Sequence, residues 1–383
     1  MNQNTLPEIF ETFSDARKQG FIAMKELKDQ GKKVVGTFCT YTPVEIFLAA
    51  DAVPVGLCST SEETIPEAEA VLPRNLCPLI KASYGFAKSE KCPYMYFSDI
   101  VIGETTCDGK KKMYELLAEI KNTHVMTLPH KQDSEASGKV WVEEVKLLKE
   151  KIEEVLDVEI TEEALKDAIK LKNKEREALK EFYSIAQMDP PPMTGYDQIK
   201  VLNGVQFMFD KYKKIETIKN TTAKILSEYN EGARPVKESA KRIIITGCPM
   251  GGTMDKTVST IEEVGGVVVA YENCTGAKAV EELVDENKDP YEAIAERYLN
   301  IGCSVMSPDN KRYELLEDLC KRFKADGVIE VNLQACHTYN VETYQIRRVC
   351  ENMGIPFMSI ETDFSMSDVA QIRTRAAAFI EML

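Results

Sequence analysis

Thiols supply most of the reactive chemistry in this chain. Eleven cysteines occur among 383 residues, with only three histidines. No Cys-x-x-Cys pair is present, which excludes zinc ribbons, thioredoxin-like motifs and the bacterial ferredoxin run. The odd count argues against a disulfide framework, so any metal must be held by ligands far apart in sequence. The segment "IVIGETTCDGKKKMYELL", residues 100–117, concentrates the question. A β-branched apolar run leads into Cys107, Asp108-Gly109 makes a tight turn, and Lys110, Lys111 and Lys112 open an amphipathic helix. A solvated lysine face is the ordinary reading of such a run. Lysines at a helix N-terminus, however, oppose the helix dipole, and an anionic neighbour accounts for them.

The elements that must position these thiols follow from hydrophobic periodicity. In the N-terminal part "KKVVGTFC", "AVPVGLC", "YFSDIVIGETTC" and "NTHVMTL" read as strands, and "CPLIKASYGFAKS" as a helix. Residues 139–229 are highly charged, with apolar side chains such as Val145, Leu148, Ile152, Leu165, Ile169, Leu179 and Phe182 at three- and four-residue steps. That is the helix period, interrupted by the proline turn "MDPPPMTG". Strands return as "KRIIITGC", "GGVVVAYENC", "ADGVIEVNLQAC" and "IPFMSIE". Strands alternating with helices imply right-handed βαβ units. The predicted fold is α/β, with two doubly wound parallel-sheet, Rossmann- or flavodoxin-like domains at 1–138 and 239–383 and a helical segment at 139–238 between them.

On this reading Cys39, Cys58, Cys107, Cys248, Cys274 and Cys336 all lie at carboxyl ends of strands, the edge where open parallel sheets bind ligands. Cys77 and Cys303 occupy loops able to reach the same edge. Any one of them can equally be a small buried hydrophobe, as is expected of Cys320 and Cys350 at core-like helical spacing. Six at equivalent edges favour ligation, and thiolates around an iron–sulfur cluster need amides and cations nearby. The glycine-rich "ITGCPMGGTMDK" lacks both the Gly-Lys-Ser/Thr of a P-loop and Gly-x-Gly-x-x-Gly spacing, and reads as an ordinary strand-to-helix turn. His337, directly after Cys336, is a candidate for bonding a cluster sulfur or donating a proton, as are Glu104 and Glu272 for proton handling beside cysteine motifs.

Composition narrows the partners. A formal net charge of −14 argues against binding a phosphate backbone, which needs clustered Lys and Arg. No apolar run approaches the ~18 residues of a membrane span, and the N-terminal residues lack a leader pattern. A cytoplasmic location without membrane or nucleic-acid partners is expected.

Seven stretches, "GTFCTYTPVEIFLAA", "RNLCPLIK", "ETTCDGKKKMYE", "YENCTGAKAVEEL", "LNIGCSVMSP", "LQACHTYNVE" and "IETDFS", together resemble the 2-hydroxyacyl-CoA dehydratase and benzoyl-CoA reductase superfamily, and more closely its double-cubane cluster protein branch. The resemblance implies one [4Fe-4S] cubane on three cysteines, matching Cys77, Cys107 and Cys336. For the double-cubane branch it implies a sulfide-bridged [8Fe-9S] cluster on six: Cys39, Cys77, Cys107, Cys274, Cys303 and Cys336. Gly109, Lys110, Lys111 and Gly276 are then expected to support the cluster, with His337 and Glu104 as proton-handling candidates. It further implies an iron–sulfur oxidoreductase, homodimeric, that receives electrons from an ATP-dependent activator with its own [4Fe-4S] cluster and reduces small molecules. The alternatives are a 2-hydroxyacyl-CoA dehydratase subunit with one [4Fe-4S] cluster and a non-catalytic electron carrier or cluster scaffold.

Overall fold

The structure, a computed structural model, describes residues 19–383. Its eight strands are β1 (Val34–Thr37), β2 (Val53–Gly56), β3 (Ile100–Glu104), β4 (Thr123–Met126), β5 (Lys241–Gly247), β6 (Gly266–Tyr271), β7 (Gly327–Leu333) and β8 (Phe357–Thr362). They form two four-stranded sheets in the orders β2-β1-β3-β4 and β6-β5-β7-β8. Every ladder is parallel. The α/β class read from periodicity is the class observed. Central strands covered on both faces need apolar residues at every position rather than at alternate ones. Accordingly β3 and β7 are buried throughout, whereas the outermost β4 and β8 are only partly covered.

The chain divides into two compact units. One comprises Gly20–Arg176 and Glu282–Arg312 and contains the first sheet; the other comprises Glu177–Glu281 and Tyr313–Leu383 and contains the second. These limits differ from the serial boundaries at 138 and 238. The helix Glu162–Ser184 runs from one unit into the other. The helical stretch is therefore divided: Phe182, Leu202, Ile218 and Ile225 join β5, β6 and β7 in one hydrophobic core, while the helix Glu135–Leu156 packs against β4 in the first unit.

What draws Glu282–Arg312 away from its sequence neighbours is a set of buried polar contacts. Asn173 Nδ2 donates to the Val284 carbonyl at 2.8 Å. The Arg176 guanidinium meets Glu45 at 2.7 Å, and the Tyr298 hydroxyl donates to the same carboxylate at 2.8 Å. Burial would raise the pKa of Glu45, but Arg176, Arg297 and Tyr298 outweigh it and hold the carboxyl below its usual range. Three chain segments thus share one charge cluster, and removing one partner would leave a buried ion uncompensated.

Arg176→Met is expected to destabilise the protein by about 3–5 kcal/mol, measured by urea unfolding, with the Glu45→Gln/Arg176→Met double variant recovering much of that loss. Because Glu45 is depressed in the folded state, its stabilisation is present above the unfolded carboxyl pKa and is lost as pH falls through the folded one. The difference between wild type and Glu45→Gln should shrink accordingly in acid.

Candidate thiol site

In a 2-1-3-4 parallel order the chain leaves β1 toward one side and returns on the other. The carboxyl ends of β1 and β3 therefore form the switch point where loops diverge, and β5 and β7 form its counterpart in the second sheet. Cys39 follows β1 and Cys107 follows β3; Cys248 follows β5 and Cys336 follows β7. Cys58 and Cys274 trail the flanking strands β2 and β6.

Three thiols share a second feature. Cys77, Cys107 and Cys336 each occupy the N-cap of a helix, Pro78–Lys88, Asp108–Leu117 and His337–Met353, and in none does the sulfur cap the helix amides. The positive end of a helix dipole favours the thiolate, the form that binds iron. Cys336 is presented by Ala335, whose φ of +56° lies in the left-handed region, a conformation that side chains other than glycine adopt at a cost.

Cys77 and Cys107 are brought together by Gly109. A Cβ there would lie 2.7 Å from Leu76 Cδ1 and 3.1 Å from Ile80 Cδ1, so the helix begun by Cys107 lies against the residues on either side of Cys77. Gly276 has a stricter reason: a Cβ would fall 2.1 Å from the backbone oxygen of Tyr271. That close approach folds the chain back immediately after Cys274.

Cys303 departs from its expected domain. It lies in the unit that holds Cys39, Cys77 and Cys107. Tyr41 donates to the Ile301 carbonyl at 2.6 Å, Gln132 to the Leu299 and Ile301 carbonyls at 2.7 and 2.8 Å, and the Ser307 amide to the His130 carbonyl at 2.7 Å. These bonds fasten the Cys303 loop beside the segment that follows Cys39, and nothing in local sequence periodicity encodes them. Four of the six candidate ligands thus belong to the first unit and two, Cys274 and Cys336, to the second.

Other thiols have structural roles. Cys92 accepts from the Met95 amide at 3.4 Å as a helix cap, and Cys248 accepts from the Leu333 amide at 3.0 Å across the β5–β7 edge. Cys58 donates to the Phe38 carbonyl at 3.2 Å. Cys320 and Cys350 are part of the hydrophobic core, and burial pushes both thiols up to about 12, which keeps them protonated and inert.

The three lysines after Cys107 diverge. Lys112 pairs with exposed Glu115, and Lys111 pairs with Asp108 at 2.9 Å, within electrostatic reach of Cys107. Lys110 instead turns inward, donating to the Phe38 carbonyl at 2.8 Å with its ammonium 5.5 Å from the Phe38 ring. Burial opposes its charge, but Tyr114, Cys58, Cys39 and Glu104 hold its pKa well above the usual lysine value. Glu104, fully buried at the end of β3, accepts from the Thr42 hydroxyl. Burial pushes its carboxyl up to about 7 against the opposing effects of Thr42 and Lys110. A group poised there can hold or release a proton at neutral pH. His337 is exposed on the first turn of its helix.

The glycine-rich turn after β5 is a structural joint, as its sequence indicated. Lys256 is buried, donating to the Ser365 carbonyl at 2.5 Å and to Asp368 at 2.7 Å, so it fastens the helix Met254–Glu263 to the "IETDFS" segment. That role of Lys256 was not apparent from the sequence.

Among the described residues no three or more His, Cys, Asp or Glu side chains are arranged to hold a single metal ion. A cubane places its own cage between its thiolates, so its ligands stand further apart. The donor chemistry fits that kind of group: sulfurs rather than carboxylates, at helix N-termini, with a buried ammonium alongside.

The structure is thus of the α/β class, two parallel-sheet units with cysteines along their carboxyl edges. The chain belongs to the 2-hydroxyglutaryl-CoA dehydratase, D-component family, whose model matches residues 39–383. It is 54% identical over 379 residues to the putative dehydratase subunit YjiM of Escherichia coli, covering 99% of this chain and 98% of that protein. It is 27% identical to the (R)-phenyllactyl-CoA dehydratase beta subunit of Clostridium sporogenes, over 94% of each chain. It is 24% identical to a benzoyl-CoA reductase subunit of Thauera aromatica, over 100% of this chain and 97% of the relative. The family to which it belongs therefore includes dehydratase and reductase subunits, in agreement with the resemblance seen in the seven motifs. No helix among the described residues is long and apolar enough to cross a membrane.

Gly276→Ala, which would press a methyl against backbone, is expected to destabilise by about 2–3 kcal/mol. Gly109→Ala meets only the side-chain ends of Leu76 and Ile80 and should lose less than half as much. Chemical unfolding of both variants, side by side, checks the order.

Proposed function

We propose that this protein is the substrate-reducing iron–sulfur component of a two-protein system. Its ligands would be Cys39, Cys77, Cys107, Cys274, Cys303 and Cys336, holding a double-cubane [8Fe-9S] cluster. The observation that carries the reading is the placement of Cys77, Cys107 and Cys336 at helix N-caps, together with the structural commitments of Cys58, Cys92, Cys248, Cys320 and Cys350. A bound cluster of this kind supplies single electrons at low potential. The chain's own contribution would be to present those sulfurs from strand ends and helix N-termini and to keep Lys110 charged beside them. Glu104, poised near neutrality, would hold a proton close to the reacting region, and His337 is a second candidate for that task.

An ATP-dependent activator with its own [4Fe-4S] cluster would deliver the electrons. No P-loop is present here, so ATP would be used by that partner. The oxidants would be small unsaturated or nitrogen-containing molecules, and the protein would act in the cytoplasm as a homodimer. A second reading is favoured by the relatives whose names contain dehydratase: a 2-hydroxyacyl-CoA dehydratase subunit with one [4Fe-4S] cluster on Cys77, Cys107 and Cys336.

Iron and sulfide analysis of anaerobically purified protein separates the two, with about eight irons per chain expected for the double cubane and about four for the single cluster. Cys107→Ser and Cys336→Ser should lose at least about half of the iron, and Cys320→Ser should retain it. Iron-free wild type would end both readings.

A further inference from the structure

The two units carry the same constellation at corresponding edges. In the first, Cys107-Asp108-Gly109-Lys110 follows Glu104; in the second, Cys274-Thr275-Gly276-Ala277-Lys278 follows Glu272. Both glutamates are fully buried at or just beyond a strand's carboxyl end. Each accepts a threonine hydroxyl, Thr42 for Glu104 and Thr246 for Glu272, the latter at 2.7 Å. Each has a lysine within its field: Lys110 acts on Glu104 through its charge, and Lys278 pairs with Glu272 at 3.0 Å. Each ammonium lies 5.5 Å from the centre of an aromatic ring, Phe38 for Lys110 and Tyr339 for Lys278.

What those rings belong to gives the pattern its meaning. Phe38 immediately precedes Cys39, and Lys110 donates to its carbonyl at 2.8 Å. Tyr339 lies one turn beyond Cys336, and Lys278 donates to its hydroxyl at 3.1 Å. Lys110 therefore links the Cys107 and Cys39 segments within one unit, and Lys278 links the Cys274 and Cys336 segments within the other. A lysine ammonium is rarely taken out of water without a reason; Lys278 is buried and Lys110 half-buried, each between two candidate ligands.

We propose that Lys110 and Lys278 are a matched pair of positioning cations, one per unit, that offset the negative charge of the thiolate-bound group and set its reduction potential. Glu272 holds Lys278 in place, Glu104 acts on Lys110 through its charge, and the rings stabilise each ammonium through their faces. The two lysines have like surroundings although Cys107 follows a central strand, β3, and Cys274 a flanking one, β6. This inference rests on the iron–sulfur reading above and extends it to residues with no part in ligation.

The sign of the effect separates this role from simple loop fastening. Removing a nearby cation disfavours the more negative, reduced state, whereas removing a nearby anion favours it. Potentiometric titration monitored by electron paramagnetic resonance would be run on anaerobic holoprotein of matched iron content. Lys278→Met and Lys110→Met are expected to shift the midpoint to more negative values, with Lys278→Arg returning it toward wild type. Glu272→Gln, which leaves no unpaired buried anion should Lys278→Met fail to fold, is expected to shift it the opposite way. Midpoints indistinguishable from wild type in iron-replete Lys110→Met and Glu272→Gln would overturn the proposal while leaving the cluster assignment intact. Wild type without iron would instead overturn the cluster assignment itself.

Discussion

A purely parallel sheet delivers every strand to the same edge, and that constraint organises the rest of this protein. With both faces covered, a polar side chain within a central strand must find a partner, as Glu330 and Asn332 of β7 do in Thr343. Reactive groups therefore collect on the loops beyond the last residue, and the strand order decides which loops diverge to leave a crevice. Because both sheets share one order, the chain builds two such edges from the same plan. Cys39 and Cys107 take the switch positions of one; Cys248 and Cys336 take those of the other.

Charge burial is the second constraint, and it accounts for the less obvious residues. Glu45 with Arg176 and Tyr298, and Glu272 with Lys278, are far from solvent and paired, and the buried Lys256 pairs with a half-buried Asp368. Such pairs add little net stability over apolar packing, yet breaking one is expensive. Their value lies in geometry, because only one arrangement satisfies both partners. Here the arrangement fixes loops: the Glu45 cluster anchors the helix preceding the Cys303 loop, and Lys256 fixes the C-terminal motif.

All eight strands were legible in the sequence because short, β-branched apolar runs set between helical stretches have few alternative readings. The boundaries between units were not. Arg176, Asn173 and Tyr298 determine that Glu282–Arg312 folds with the first sheet, and each acts across a hundred residues or more, which no local period records. Helical stretches at 139–230 looked like one segment because amphipathicity reveals that a face is buried but not against what. The same limit applied to the lysine run: spacing placed Lys110, Lys111 and Lys112 on one helix, and only the fold showed that Lys110 alone turns toward Phe38. Lys278 gave no signal at all in the sequence, since one lysine among so many looks ordinary until its burial is known.

A count of cysteines does not by itself count candidate ligands, because a thiol has other uses in this fold. A thiol is small and nearly apolar when protonated, so it can fill a core position, as Cys320 and Cys350 do, or satisfy a backbone amide, as Cys92 and Cys248 do. Neither the core positions nor the Cys248 contact needs a cation or a helix terminus. The segments of Cys39, Cys107, Cys274 and Cys336 are built differently, each tied to a buried lysine or to a helix N-terminus. Those devices lower the energy of negative charge and would be wasteful around a neutral thiol. Position along the strand is therefore not enough to separate the thiols by role: Cys248 and Cys39 both follow a central strand, Cys248 accepts the Leu333 amide, and Cys39 lies in the field of the Lys110 ammonium.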